Sequence, residues 1–60
     1  MYQVQMQFIS GYDNIWVARI NPDDPIYVYD VEADAISKAE ELKAADPSQR
    51  QYRVSSNIVA

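Results

Sequence analysis

The stretch Tyr2-Gln3-Val4-Gln5-Met6-Gln7-Phe8 alternates apolar and polar side chains without a break. A period of two is typical of a β-strand with one face on a core and the other toward water. Residues 10–14 then concentrate turn-forming side chains around the only glycine, where a positive φ has no steric cost. This spacing predicts a hairpin whose returning strand is Ile15 to Ile20. Both faces of that returning strand are largely apolar, and we expect Trp16 to be at least partly buried.

The next segment changes from turn to strand to helix. Asn21 to Pro25 predicts a loop, because its two prolines cannot donate to a ladder. Ile26 to Tyr29 is β-branched and aromatic, which favours a short third strand near a sheet edge or an extended lead into the helix. Asp30 is the expected N-cap, and Pro47 is the expected end because it disfavours helical geometry at the residue before it. Apolar residues at helical spacing predict the inner face, Ala35, Ile36, Ala39 and Leu42.

A last strand is predicted from Gln51 to Val59, again by alternation. The elements therefore predict an α+β fold, a three- to four-stranded mixed or antiparallel sheet with one helix packed on one face, in the order β-β-(β)-α-β. Small alanine side chains on the helix indicate a close approach to the strands. We expect a single domain over residues 1–60.

The length and composition of the chain limit which functions and cellular locations we expect for it. A chain of 60 residues buries only about 60% of the surface that it exposes when unfolded, so few apolar residues are free to line a deep pocket. The absence of cysteine favours a reducing cytoplasm. Met1 to Tyr12 lacks the basic region of a secretion signal and the length of a membrane span, so we expect neither.

The sequence contains few of the residues that enzymes use for catalysis. Without histidine or cysteine the common nucleophile and base pairs are missing, and a single glycine excludes the phosphate-binding loops. Carboxylate pairs such as Asp23/Asp24 or Glu40/Glu41 need a desolvated cleft to divide acid and base roles. Asp23, Asp24 and Asp30 lack the calcium-loop spacing. We expect no enzyme activity, no cofactor and no metal.

Charge is unevenly distributed. Residues 23–46 hold eight acidic side chains against Lys38 and Lys43, a net −6, while the rest of the chain is +2. One interpretation is a solvated surface with Asp34 and Lys38 as an ordinary ion pair. The other is a surface that docks on a basic partner. Five scattered basic residues among nine acids disfavour direct nucleic-acid binding.

Seven aromatic residues exceed what so small a core can enclose. Tyrosine and tryptophan are enriched at binding hot spots, although here they could equally cover the open face of a one-helix sheet. Tyr12 and one of Tyr27 or Tyr29 are the expected exposed tyrosines. Combined with the charge pattern, the predicted partner-binding residues are Asp23, Asp24, Glu32, Asp34, Glu40, Glu41, Tyr12 and Tyr27.

The order of features resembles that of small acidic α+β proteins encoded by bacteriophages. It comprises the alternating N-terminal strand, Trp16-Val17-Ala18, Pro25-Ile26-Tyr27, an acidic helix, Asp46-Pro47 and Tyr52-Arg53-Val54. Within that group the chain is similar to early-gene inhibitors of bacterial host RNA polymerase. The resemblance implies a host-takeover inhibitor in the host bacterial cytoplasm that docks on a nucleic-acid enzyme, RNA polymerase or a defence nuclease. Nucleic-acid mimicry is one version. The alternative, which follows from the predicted fold, is a small self-associating structural protein whose open sheet face or edge forms a homo-oligomer, such as a homodimer.

Overall fold

A computed structural model describes residues 1–9, 15–48 and 50–59 of the chain. The strands are β1 (Tyr2–Met6), β2 (Val28–Tyr29) and β3 (Tyr52–Ser55), and the helix is α1 (Glu32–Ala45). The strands form one antiparallel sheet in the order β2-β1-β3, and α1 packs against it. This confirms the predicted α+β fold. Within the described ranges, no helix has the length and apolar character needed to cross a membrane.

The side of β1 that faces β2 differs from the prediction, because Ile15 to Ile20 is not a strand. Only Val17 pairs with β1, through two backbone hydrogen bonds with Met6 of 2.9 and 2.8 Å. The reason is that the Val4 N–H already donates to the Tyr27 carbonyl at 3.0 Å, so β2 and its approach occupy that side of the strand. The predicted turn at residues 10–14 lies outside the described residues.

The helix begins and ends close to where the sequence places it. Val31, not Asp30, is the N-cap, with extended geometry and no side-chain capping bond, so Glu32 and Asp34 support the first turn through the helix dipole. Asp46 has φ −101° and ψ 111°, which confirms that the residue before Pro47 leaves helical geometry.

The core between α1 and the sheet is small. Its buried members are Val4, Met6, Ala35 and Ala39, so the alanines do bring the helix close to β1. Half-buried side chains complete it, and they are Tyr2, Val17, Ile20, Tyr27, Tyr29, Leu42, Tyr52 and Val54. Ile36 was expected on this face, but it lies on the flank of the helix and is 43% exposed.

The opposite face of β1 is the main departure from the predicted pattern. Gln3 and Gln5 are 0% exposed and Gln7 is also buried, although alternation predicts a water-facing row. β3 ends at Ser55 instead of continuing to Val59, and the following residues turn back across these glutamines. The sheet is therefore covered on both faces, by α1 on one side and by the C-terminal segment on the other.

Candidate functional site

The acidic residues of α1 form two rows along its exposed surface. Glu32 and Glu40 lie on the flank that also carries Ile36, because these positions are four residues apart. Asp34 and Glu41, seven residues apart, lie on the other flank and border a shallow groove with Tyr29 and Lys38. All four carboxylates are exposed. We call Glu32, Asp34, Glu40 and Glu41 the acidic rows.

The basic residues, in contrast, are largely engaged within the molecule. Lys38 forms an ion pair with Glu41, three residues along the helix, and not with the expected Asp34. This contact raises the pKa of Lys38. The three arginines also form internal hydrogen bonds. Arg19 donates to the Asp24 carbonyl, Arg50 to the Asp46 carboxylate, and Arg53 to the Gln5 side chain. Of the basic side chains in the described part of the chain, only that of Lys43 forms neither an ion pair nor a hydrogen bond with a described residue.

The carboxylates are engaged much less often. Glu32, Asp34 and Glu40 are exposed and form no ion pair with any described residue, and the same holds for Asp23 and Asp30 in the preceding segments. The exterior near α1 therefore carries negative charge that the protein itself does not neutralise. Such a field extends about 8–10 Å at physiological salt and attracts cationic surfaces.

Asp24 and Asp23 differ in their surroundings. The Asp24 carboxylate accepts hydrogen bonds from the Asn21 N–H at 3.2 Å and from the Asn21 side chain at 3.4 Å, and it is half-buried. Its own N–H donates to the Asn21 carbonyl at 3.0 Å. These contacts close the turn predicted at Asn21 to Pro25, so Asp24 has a local structural role. Asp23 is exposed in the same turn.

Asp46 is an anion of a different kind, held between the end of α1 and the start of β3. Its Oδ1 accepts from the Ser48 hydroxyl at 2.5 Å and from the Ser48 N–H at 2.9 Å, and its Oδ2 accepts from Arg50 and the Tyr52 hydroxyl, both at 2.8 Å. The Ser48 bonds, with those of Tyr52 and Arg50, hold the pKa of Asp46 well below its usual range. Burial and the bond to Asp46 raise the pKa of Tyr52. These bonds join the end of α1 to the start of β3 through one shared carboxylate.

The tyrosines do not form the expected exposed patch. Tyr27 and Tyr29 are both half-buried and pack against the core, which corrects the expectation that one of them is exposed. Lys38 Nζ lies 5.2 Å from the centre of the Tyr27 ring, within the range of a cation–π contact. Tyr12 lies outside the described residues. The partner-binding role of Tyr12 and Tyr27 stays a prediction, and the acidic rows are the accessible part of the predicted surface.

Two sets of residues have roles in the structure that their sequence pattern does not predict. The pattern indicates Asp46 only as the residue before Pro47, and Gln3 and Gln5 only as a solvent-facing row. The available signal was that every polar position of β1 is a glutamine, an uncharged amide that both donates and accepts. Uncharged amides, unlike charged residues, can be buried at modest cost once they are hydrogen-bonded.

A cavity of about 300 Å³ lies between the Asn21 to Pro25 turn and the core. Its floor is apolar, with Met6, Ile20 and Leu42, and its rim includes Arg19 and Arg50. The Arg50 Nε is buried without a hydrogen-bond partner among the described residues. Within the described ranges, no group of three or more aspartate or glutamate side chains is placed to hold a metal ion.

Comparison of the chain with protein-family models, with curated proteins and with solved structures finds no match.

Proposed function

We propose that this chain is a non-catalytic protein-binding domain that docks the acidic rows of α1 on a basic surface of a macromolecular partner. The observation that supports the proposal is that most basic side chains are bound within the molecule, whereas most acidic side chains of α1 are not. Four of the five cations are held by internal contacts, while Glu32, Asp34 and Glu40 form no ion pair with a described residue. The outward electrostatic character of the helix is therefore negative, and a cationic partner gains from approaching it.

The shape of the helix suits such a role. Its 14 residues extend about 21 Å, and the sheet supports it from one side only. Four carboxylates along this length present a rigid array whose backbone does not need ordering on binding. A preformed array loses less conformational entropy than a flexible acidic tail, which favours affinity as well as fast association.

The resemblance to phage inhibitors of host RNA polymerase makes that enzyme the first partner to test. The variant replaces Glu32, Asp34, Glu40 and Glu41 by glutamine or asparagine of the same size. Neutralisation is better than lysine substitution, because cations in the first turn of a helix oppose its dipole. Association with purified bacterial RNA polymerase is measured by stopped flow at several salt concentrations, with circular dichroism confirming the fold.

We expect the association rate of the natural protein to fall with salt, and that of the neutralised variant to be at least tenfold lower and nearly salt-independent. A double neutralisation outside the helix, Asp23→Asn with Asp30→Asn, is the control and should change the rate less. Equal rates and salt slopes for all three proteins would refute the electrostatic proposal. Competition by duplex DNA would identify nucleic-acid mimicry, and binding unaffected by DNA would identify a separate site.

A further inference from the structure

The outer edge of β3 carries backbone groups that no described residue uses. β3 is an edge strand of the sheet, and the Gln7 N–H donates to the Gln51 carbonyl at 3.1 Å. Antiparallel ladders alternate, so Arg53 and Ser55, two and four residues further, also bond to β1. Tyr52 and Val54 therefore direct their N–H and C=O groups away from the sheet.

The one charged side chain of β3 does not protect this edge. Natural edge strands are often shielded by a charge that projects across them. Arg53 instead reaches inward over β1, where its Nε donates to Gln5 at 2.7 Å and its guanidinium lies 4.3 Å from the centre of the Trp16 ring. Trp16 precedes Val17, which pairs with the far side of β1. The guanidinium is thus held against Gln5 and Trp16 instead of projecting across the open edge, although Arg53 still lines the groove beside it.

The C-terminal segment does not cover the edge either. After Ser55 the chain turns onto the glutamine face, where the Asn57 carbonyl accepts from Gln5 at 2.6 Å. Val59 exchanges two hydrogen bonds with the Gln3 side chain, at 2.9 and 2.8 Å. These contacts hold the segment over β1 on the side opposite α1.

A groove of about 280 Å³ runs beside the edge, between β3 and α1. Its apolar wall is formed by Ile36, Ala39, Tyr52 and Val54. Its charged lining residues are Glu40, Lys43 and Arg53. Ile36 is 43% exposed here, although its helical spacing matches the core residues. An apolar groove next to unpaired backbone groups is the arrangement with which proteins bind extended peptides.

We propose that the β3 edge and this groove bind an extended peptide segment of a partner protein by strand addition. The peptide pairs with Tyr52 and Val54, places an apolar side chain over Ile36, and carries a carboxylate at the Lys43 end. Lys43 is the basic side chain that forms no ion pair or hydrogen bond with the described residues, so it is free to pair with that carboxylate. This site borders one of the acidic rows, since Glu40 lines the groove, but its contacts are with β3, Ile36 and Lys43, so it does not depend on the function proposed for the rows.

A second copy of the chain is the alternative occupant, because antiparallel self-pairing can use the outward groups of both Tyr52 and Val54. The unpaired Lys43 at the end of the groove favours a peptide that carries a carboxylate, since β3 of a second copy has no acidic side chain to offer at this edge.

The test uses a displayed library of random 12-residue peptides, selected against the full chain. The selected peptides are then measured by fluorescence polarisation against synthetic 60-residue variants. N-methylation of Val54 removes one outward N–H and leaves the side chain in place. The matched control is N-methylation of Val28, which directs its N–H outward at the opposite edge of the sheet, because the flanking pairs of β2 make the bonds to β1.

We expect enriched peptides to alternate apolar and polar residues and to include an acid. N-methyl-Val54 should weaken binding at least tenfold, Lys43→Glu and Ile36→Ala at least threefold, and N-methyl-Val28 less than twofold. If N-methyl-Val54 does not fold, the two side-chain variants decide. Selected peptides that bind every variant equally, or no enrichment at all, would overturn the proposal. Dimerisation that N-methyl-Val54 abolishes would also overturn it, in favour of a second copy.

Discussion

Replacing Gln5 by methionine removes the central amide of the glutamine face while keeping a side chain of similar volume. In the structure the Gln5 amide donates to Gln3 at 2.9 Å and to the Asn57 carbonyl at 2.6 Å, and it accepts from Arg53 at 2.7 Å. Its side chain is fully buried. The substitution therefore deletes three hydrogen bonds and opens no large cavity, so the hydrogen-bond contribution is measured with little packing loss.

The expected loss follows from those bonds. Neutral hydrogen bonds contribute about 1 kcal/mol each, and one to a charged donor contributes about 1.5–3 kcal/mol. Arg53 and Asn57 are exposed and can turn to water, which reduces the sum. We expect Gln5→Met to lower the free energy of unfolding by about 2 kcal/mol. For a domain of this size that is a decrease in Tm of about 8–16 °C.

Urea unfolding followed by Trp16 fluorescence is the assay, since Trp16 is the only tryptophan and lies beside Arg53. Gln51→Met is the control, because Gln51 is exposed and should change the free energy of unfolding by less than about 0.5 kcal/mol. If Gln5→Met is as stable as Gln51→Met, the glutamine face does not act as a second core and the reasoning fails.

Two further predictions concern the ends and the inner face of α1. The pKa of Asp46 is lowered in the folded state, so its contribution to stability is present above the unfolded value of about 3.9 and is lost as pH falls through the lower folded value. Between pH 5 and pH 2 we therefore expect the Tm of the natural protein to fall more steeply than that of Asp46→Asn. Ala39→Leu adds volume where the helix approaches β1, and we expect a loss of about 1–3 kcal/mol in urea unfolding.

Each of these two predictions has an outcome that would contradict it. Parallel pH profiles for the natural protein and Asp46→Asn would mean that the bonds from Ser48, Arg50 and Tyr52 do not stabilise the charged form. For the helix, Ile36→Ala is the partner variant, since Ile36 is on the exposed flank and should change stability by less than about 0.5 kcal/mol. Ala39→Leu and Ile36→Ala with equal effects would contradict the assigned inner face.

The sequence predicted the local elements best where a single cause determines them. The start of β1 follows from strict alternation, and the end of α1 follows from Pro47, because that proline acts only on its neighbour. The prediction of a strand at Ile15 to Ile20 was wrong, because β-propensity does not indicate which segment pairs with a given side of β1. In the structure Val28 and Tyr29 pair with most of that side.

The candidate site divides in the same way. The exposure of Glu32, Asp34, Glu40 and Glu41 follows from a charged helix surface and could be predicted. The contacts of Arg53 could not, because Gln5 and Trp16 are distant from it in sequence and only folding brings them together.

The amino-acid sequence by itself determined the α+β class, the helix, the N-terminal strand and the excess of negative charge, since each depends on composition or on short-range periodicity. Only the tertiary structure decided that the glutamine row is buried, that Asp46 joins α1 to β3, and that the outer edge of β3 stays open. The buried glutamine row and the open edge depend on where residues 56–59 and Arg53 come to lie, and the Asp46 contacts depend on the positions of Arg50 and Tyr52. A strand pattern cannot show this, because burial of a polar face requires a cover with matching donors and acceptors from elsewhere in the chain.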